Sequence, residues 1–400
     1  MKHQFIIACL LLLNSAFSLS AQDSIKAKDE GFVFETIYDI AASPVKDQYR
    51  SGTCWSFATT SFVESELLKM GQDTLDLSEM FFVNYAYRQK AEKYVRLHGN
   101  ANFGPGGQAH DVINVIKTYG FAPEQAYTGL IKGEAKHNHA ELDKVLKSYL
   151  DAVIANEGGK LSQVWPDAYL ALLSAYLSPT PEKFSIKNKE VSPEQFAKET
   201  GFNASDYIEL TSYTHHPYYS QFDLEIPDNW SHDLYYNIPM EEMVQVMNYA
   251  LEKGYTVCWD GDVSDKGFSH TNGVAIVPEK ETKNMDGTER TRWEKLSERE
   301  KNAELYNFKT PGTEKQITAE MRQEAFNNYQ ATDDHLMHMT GMVKDQNGTI
   351  YYKTKNSWAS GSNKYGGYLN ISESYFRLNT ISIMVNRNAI PQTIKKKLKL

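Results

Sequence analysis

Gln48-Tyr49-Arg50-Ser51-Gly52-Thr53-Cys54-Trp55-Ser56-Phe57-Ala58 is the stretch that decides how this chain is read. A polar turn, Arg50 to Thr53, delivers a thiol to the first turn of a segment whose apolar residues (Trp55, Ala58, Phe62, Val63, Leu67) recur at helical spacing and stop at Gly71. Cys54 is thereby expected at a helix N-terminus. Unpaired N–H groups and the helix dipole there favour a thiolate, and a histidine partner is expected to lower the cysteine pKa further. Gln48, six residues upstream, can turn its side-chain amide toward the oxygen of a tetrahedral intermediate, next to the Cys54 backbone N–H. The plain alternative is a buried cysteine opening an ordinary core helix.

The C-terminal third weakens that alternative. Asp333-Asp334-His335 leads into Leu336 to Val343, a predicted strand, and after a turn over 344–348 a second strand, 349–355, runs into Asn356-Ser357-Trp358. Antiparallel pairing brings Asn356 back beside the start of the first strand, where its side-chain oxygen can fix an imidazole's tautomer and aim. Trp358 is then placed to shield that bond. His335 and His338 both compete for the role of base. Three residues apart on a strand, they face opposite ways, and His335 is preferred because it sits at the strand entrance nearest Asn356.

With these residues together, the chain resembles the papain-like cysteine peptidases, whose catalytic groups follow the same order: Gln48, Cys54-Trp55, His335 with Gly341 six residues later, and Asn356-Ser357-Trp358. The glycine spacing fits His335 and not His338. The resemblance implies an α+β, papain-like fold with a helical half carrying Cys54 and a β-rich half carrying His335 and Asn356. Cys54 and His335 are 281 residues apart, against roughly 130–150 between cysteine and the later residues in papain and the cathepsins. A large helical insertion is therefore expected, placed over 130–250, where 141–155 and 161–177 have helical spacing and Ser192-Pro193-Glu194-Gln195 reads as a helix start. The aromatic stretch 207–239, interrupted by Pro217 and Pro227, reads as a long packed loop.

Such an insertion is similar to that of the bleomycin hydrolase and bacterial aminopeptidase C branch. That resemblance implies a homohexamer with inward-facing sites, peptide substrates, no cofactor, and a C-terminal arm whose carboxylate meets the substrate's free amine. Gly106 and Gly107, in Gly104-Pro105-Gly106-Gly107-Gln108, resemble the branch's glycine pair, which binds substrate backbone. The basic ending Lys395-Lys396-Lys397-Leu398-Lys399 departs from the pattern, because it repels an ammonium unless a terminal carboxylate alone reaches it. An open-cleft endopeptidase and a silent scaffold of the same fold are the competing readings.

The other histidines carry less. His270 also precedes a β-rich run, but no Asn-Ser-Trp comes after it, and the stretch 279–330 is instead charged and helix-prone. His137, His139, His215 and His216 read as surface histidines, and no metal site is expected. Residues 1–21, Met1-Lys2 followed by an apolar run and small residues, read as a signal peptide, leaving 22–400 as one peptidase unit that is exported, periplasmic or secreted, without a stable membrane anchor. Beyond that leader only Cys54 and Cys258 remain, both expected free. A net charge of -9 disfavours a general nucleic-acid surface.

Overall fold

The computed structural model describes residues 31–400 apart from 281, 283 and 284, so the leader expected over 1–21 lies outside the described residues. Chain order begins with β1 (Phe34–Asp39), then α1 (Cys54–Lys69), α2 (Glu79–Arg96), α3 (Ala109–Tyr119), α4 (Ala140–Ile154) and α5 (Trp165–Leu177). A two-stranded ribbon, β2 (Phe184–Ile186) with β3 (Lys189–Val191), precedes α6 (Pro193–Thr200). The capping box anticipated at Ser192 is present: its hydroxyl accepts from the Gln195 N–H while the Gln195 side chain reaches back.

Next come β4 (Tyr207–Thr211), β5 (Gln221–Asp223), β6 (Leu234–Asn237), α7 (Met240–Glu252), β7 (Val257–Gly261), β8 (Phe268–Ser269) and β9 (Val274–Ala275). The stretch 207–239 is thus not the long loop its prolines suggest; three strands of three to five residues lie within it, one before Pro217, one between the prolines and one after Pro227. Proline cannot donate to a ladder, but Pro217 and Pro227 sit outside these strands and interrupt nothing. The exposed helices α8 (Gly287–Lys295) and α9 (Glu298–Leu305) lead to α10 (Ala319–Asn327), as the charged sequence suggests. The chain closes with β10 (His335–Asp345), β11 (Ile350–Lys355), β12 (Tyr368–Ser372), α11 (Glu373–Asn379), β13 (Thr380–Asn386) and α12 (Gln392–Leu398).

One eleven-stranded sheet, ten strands in the order β5-β6-β4-β13-β7-β10-β11-β12-β9-β8 with β1 added on β10, joins residues far apart in sequence. β10 is its hub. The first half of β10 pairs antiparallel with β7, Leu336 opposite Asp260 and His338 opposite Cys258; its second half pairs with β1. Side chains on a strand alternate between faces, and here the alternation separates two cores. Leu336, Cys258 and Met384 face α1 and the helical half. Met337, Met339, Trp259, Ile383 and Val385 face the other way, into a core shared with α7 and with Ile394 and Leu398 of α12.

α1 runs through the centre of the molecule and is buried on nearly every side, polar residues included. Buried polar groups need partners, and several of these have them at the sheet or in the loop before α2. Ser61 Oγ lies 2.8 Å from His338 Nδ1, Lys355 Nζ donates to Ser61 Oγ at 2.7 Å, and Glu64 accepts from the Leu77 N–H at 2.8 Å. Helices α4 and α5, from the expected insertion, pack on α2, with Leu142, Leu146, Leu150, Tyr169, Leu173 and Leu177 fully inside. Among the described residues no helix is long and apolar enough to cross a membrane.

Candidate active site

Cys54 is the first residue of α1, half-buried, behind the turn Gln48 to Thr53. The turn is tight because Tyr49 and Gly52 both take positive φ, and a side chain at Gly52 would collide with Pro105, 2.7 Å from where its Cβ would stand. Pro105 in turn accepts from Trp55 Nε1 at 2.8 Å, which fixes the buried indole behind the thiol. The turn is stitched to the far segment. Gln48 N–H donates to the Ser357 carbonyl at 2.8 Å, and Ser357 Oγ donates to Gln48 Oε1 at 2.5 Å. That bond holds the oxygen of the amide, so the Gln48 NH2 end keeps its donors for another partner.

The backbone N–H of Leu336, the residue after His335, acts on the Cys54 thiol to lower its pKa. His335 itself is buried, and its Nε2 lies 2.8 Å from Asn356 Oδ1. Because a carboxamide oxygen only accepts, Nε2 carries the proton and Nδ1 is left with its lone pair. Trp358 covers the imidazole at 4.9 Å between ring centroids. His338, by contrast, points into the network under α1 toward Ser61, away from Asn356.

His270, which its sequence context sets aside, is brought in by the structure. Asn356 Nδ2 donates to His270 Nδ1 at 3.3 Å, His270 Nε2 lies 2.7 Å from Ser362 Oγ, and Ser362 Oγ donates to the Ala359 carbonyl at 2.6 Å. The chain of bonds fixes which end of Asn356 faces His335. His270 lies 5.0 Å from Trp358, but its connection runs through the β8–β9 turn, which no sequence spacing announces.

Electrostatics correct one expectation. Burial pushes the Cys54 thiol up to about 12, with the Leu336 N–H opposing and Asp228, Asp260 and Asp333 adding to the rise; it does not sit below the ordinary range. Burial is the largest cause, and the three carboxyls add to it. Burial also pushes His335 down to about 4, against the Asn356 bond. Burial thus favours the uncharged form of both groups.

The glycines lie in a crowded wall. A Cβ on Gly106 would collide with the Asp228 carboxylate, and one on Gly107 would meet Asp111 and Trp55. The Lys90 ammonium donates to the Gly104 and Gly106 carbonyls and is itself buried. Among the remaining histidines, His139 is fully buried rather than on the surface, packed near His137 at 5.9 Å; burial lowers both to about 4. His215 and His216 stand within metal-binding reach of Glu225, yet each already has a partner in its carboxylate, at 3.0 and 2.8 Å. Cys258 is a buried free thiol.

A family model described as papain family cysteine protease matches residues 35–159, and one described as the peptidase C1-like family matches residues 297–400, the two halves that hold Cys54 and His335 with Asn356. The chain is a papain-like cysteine peptidase, with the α+β fold expected of one. Its relatives are of the bleomycin hydrolase-like branch. Cysteine proteinase 1, mitochondrial, of Saccharomyces cerevisiae is 22% identical over 99% of this chain and 85% of its own length; aminopeptidase W of Lactobacillus delbrueckii subsp. lactis is 24% identical over 89% and 83%. The crystal structure of PepW from Lactobacillus rhamnosis shares the fold, with a TM-score of 0.67 and 17% identity over 91% of this chain and 84% of that one.

Proposed function

We propose that Cys54, His335, Asn356 and Gln48 hydrolyse peptide bonds through a thioester, removing residues from free N-termini. The observation that carries this is the order of the site: the Cys54 thiol at the head of α1, acted on by the N–H of Leu336, the residue after a histidine that Asn356 orients at 2.8 Å. His335 Nδ1 takes the thiol proton as sulfur attacks the carbonyl carbon; the same proton then passes to the leaving amine, and water, deprotonated by His335, cleaves the thioester. Gln48 Nε2 and the Cys54 N–H receive the oxyanion. Gly106 and Gly107 hold substrate backbone, while Trp55 and Trp358 keep the turn and the imidazole dry. No cofactor takes part in these steps.

Relatives named as aminopeptidases support the exopeptidase reading. The matched experiment is cleavage of a peptide with a free and with an acetylated N-terminus, with Cys54→Ala as control. Loss of cleavage on acetylation is expected. Equal cleavage would instead establish an open-cleft endopeptidase, the reading favoured by one observation: residues 392–400 pack on the sheet face opposite α1, with Lys397 on Glu242, so the basic ending is held away from Cys54. A homohexamer in which 130–250 narrows access, and export to the periplasm or beyond after removal of residues 1–21, belong to the same reading. Light scattering of the purified protein and the N-terminal sequence of the exported form check them.

A further inference from the structure

Three carboxyls stand close enough to Cys54 to raise its thiol: Asp228 from the loop before Trp230, Asp260 from β7, and Asp333 from the residues entering β10. They converge on the thiol from three separate segments of the chain. Asp333 accepts from Gln108 Nε2 at 3.0 and 3.1 Å. Asp228 accepts from Asn102 Nδ2 at 3.0 Å and fills the space beside Gly106.

Asp260 is the unusual member. It is 2% exposed, neither carboxyl oxygen receives a donor from the described residues, and its polar neighbour is another carboxyl, Asp333. Burying a carboxyl without a donor is costly, and two in contact need a shared proton or a cation between them. No cation of the described residues forms an ion pair with Asp260: Lys90 donates to the Gly104 and Gly106 carbonyls and acts at longer range on Asp228, and His110 pairs with Glu209 at 2.7 Å.

Position says which cation. Asp260 lies opposite Leu336 across the β7–β10 ladder, and the Leu336 N–H acts on the Cys54 thiol. Asp228 stands on the Gly106 edge, where backbone on the amino side of the scissile bond would run. A substrate residue reaching Cys54 therefore meets carboxylates where a further residue would continue. We propose that Asp260, Asp333 and Asp228 form the subsite for an alkylammonium group of the substrate, its free N-terminus, on the Cys54 side of the sheet. This rests on the peptidase reading above. It supplies the anion that residues 392–400 do not bring, and it couples recognition to chemistry: an ammonium beside these carboxyls offsets the carboxylate field that disfavours a thiolate.

The test compares wild type with Asp260→Asn, Asp333→Asn and Asp228→Asn. Two readouts are taken: protection of Cys54 from iodoacetamide by leucinamide against N-acetyl-leucinamide, and kcat/KM on peptides with free and acetylated N-termini, with and without a lysine next to the scissile bond. Alkylation of Cys54 counts competent sites in each variant, and Asp228→Asn, on a half-exposed loop residue, covers the case in which a buried change prevents folding. Leucinamide is expected to protect wild type, and the variants are expected to lose at least about tenfold of the preference for the free amine. A preference for acetylated lysine peptides, lost in the variants, would overturn the N-terminus as occupant. Unchanged ratios in all three variants would overturn the subsite. Loss of Cys54-dependent turnover with protection intact would overturn the peptidase reading and leave the subsite supported.

Discussion

The two faces of the β7–β10 ladder are built from alternate residues of the same strands and have opposite characters. Toward α1 stand Cys258, Asp260, Leu336 and His338, among hydroxyls, a lysine and carboxyls; away from it stand Trp259, Met337 and Met339, packed on α7 and α12 with almost nothing polar. The second face holds the sheet together by burial alone. The first accepts unpaired and partly paired polar groups, a cost that a fold bears where chemistry is done. One register thus separates stability from reactivity, and a one-residue slip of β10 would exchange them.

Breaking the reactive face is expected to have the largest effect. Cys54→Ala should abolish hydrolysis while leaving the thermal midpoint near that of wild type, measured by calorimetry alongside activity. Gln48→Ala should lower kcat by about 10²- to 10³-fold with little change in KM, because its donors are free only for the oxyanion. Breaking the other face reverses the pattern. Trp259 is fully buried and donates to Thr380 at 2.8 Å, so Trp259→Ala should cost about 3–5 kcal/mol in denaturant unfolding, with the surviving folded fraction keeping its rate per alkylatable Cys54.

The pH profile sharpens the comparison further. His335 must be unprotonated to take the thiol proton, and burial holds it at about 4. With a saturating peptide that has a free N-terminus, kcat should fall only as pH drops through about 4, instead of near the ordinary histidine value of about 6.5. The smallest effect is expected at His270. Removing it leaves Asn356 Nδ2 without its acceptor, so His270→Ala should lower kcat about three- to tenfold at constant KM.

Much of this site is legible in the sequence because its parts lie in contiguous runs. The turn before Cys54, the hairpin from His335 to Asn356, and the capping box at Ser192 are each set by residues within reach of one another along the chain. His270, Asp228 and Asp260 have the opposite origin and escape such a reading. They come to the site through β8–β9, the 224–233 loop and β7, and only the sheet order brings them together. For the same reason the thiol's rise is hidden in the sequence: the helix N-terminus is local, whereas the carboxyls that add to the rise are not. The short strands within 207–239 are hidden because three to five residues carry too little periodicity to distinguish strand from loop.

The most direct test of the central claim is intact-mass spectrometry of the protein quenched during turnover of a peptide ester with a free N-terminus. The account predicts one acyl group, mapped to Cys54 and absent from Cys54→Ala. Turnover that persists in Cys54→Ala, or an acyl group found on another residue such as Cys258, would contradict it.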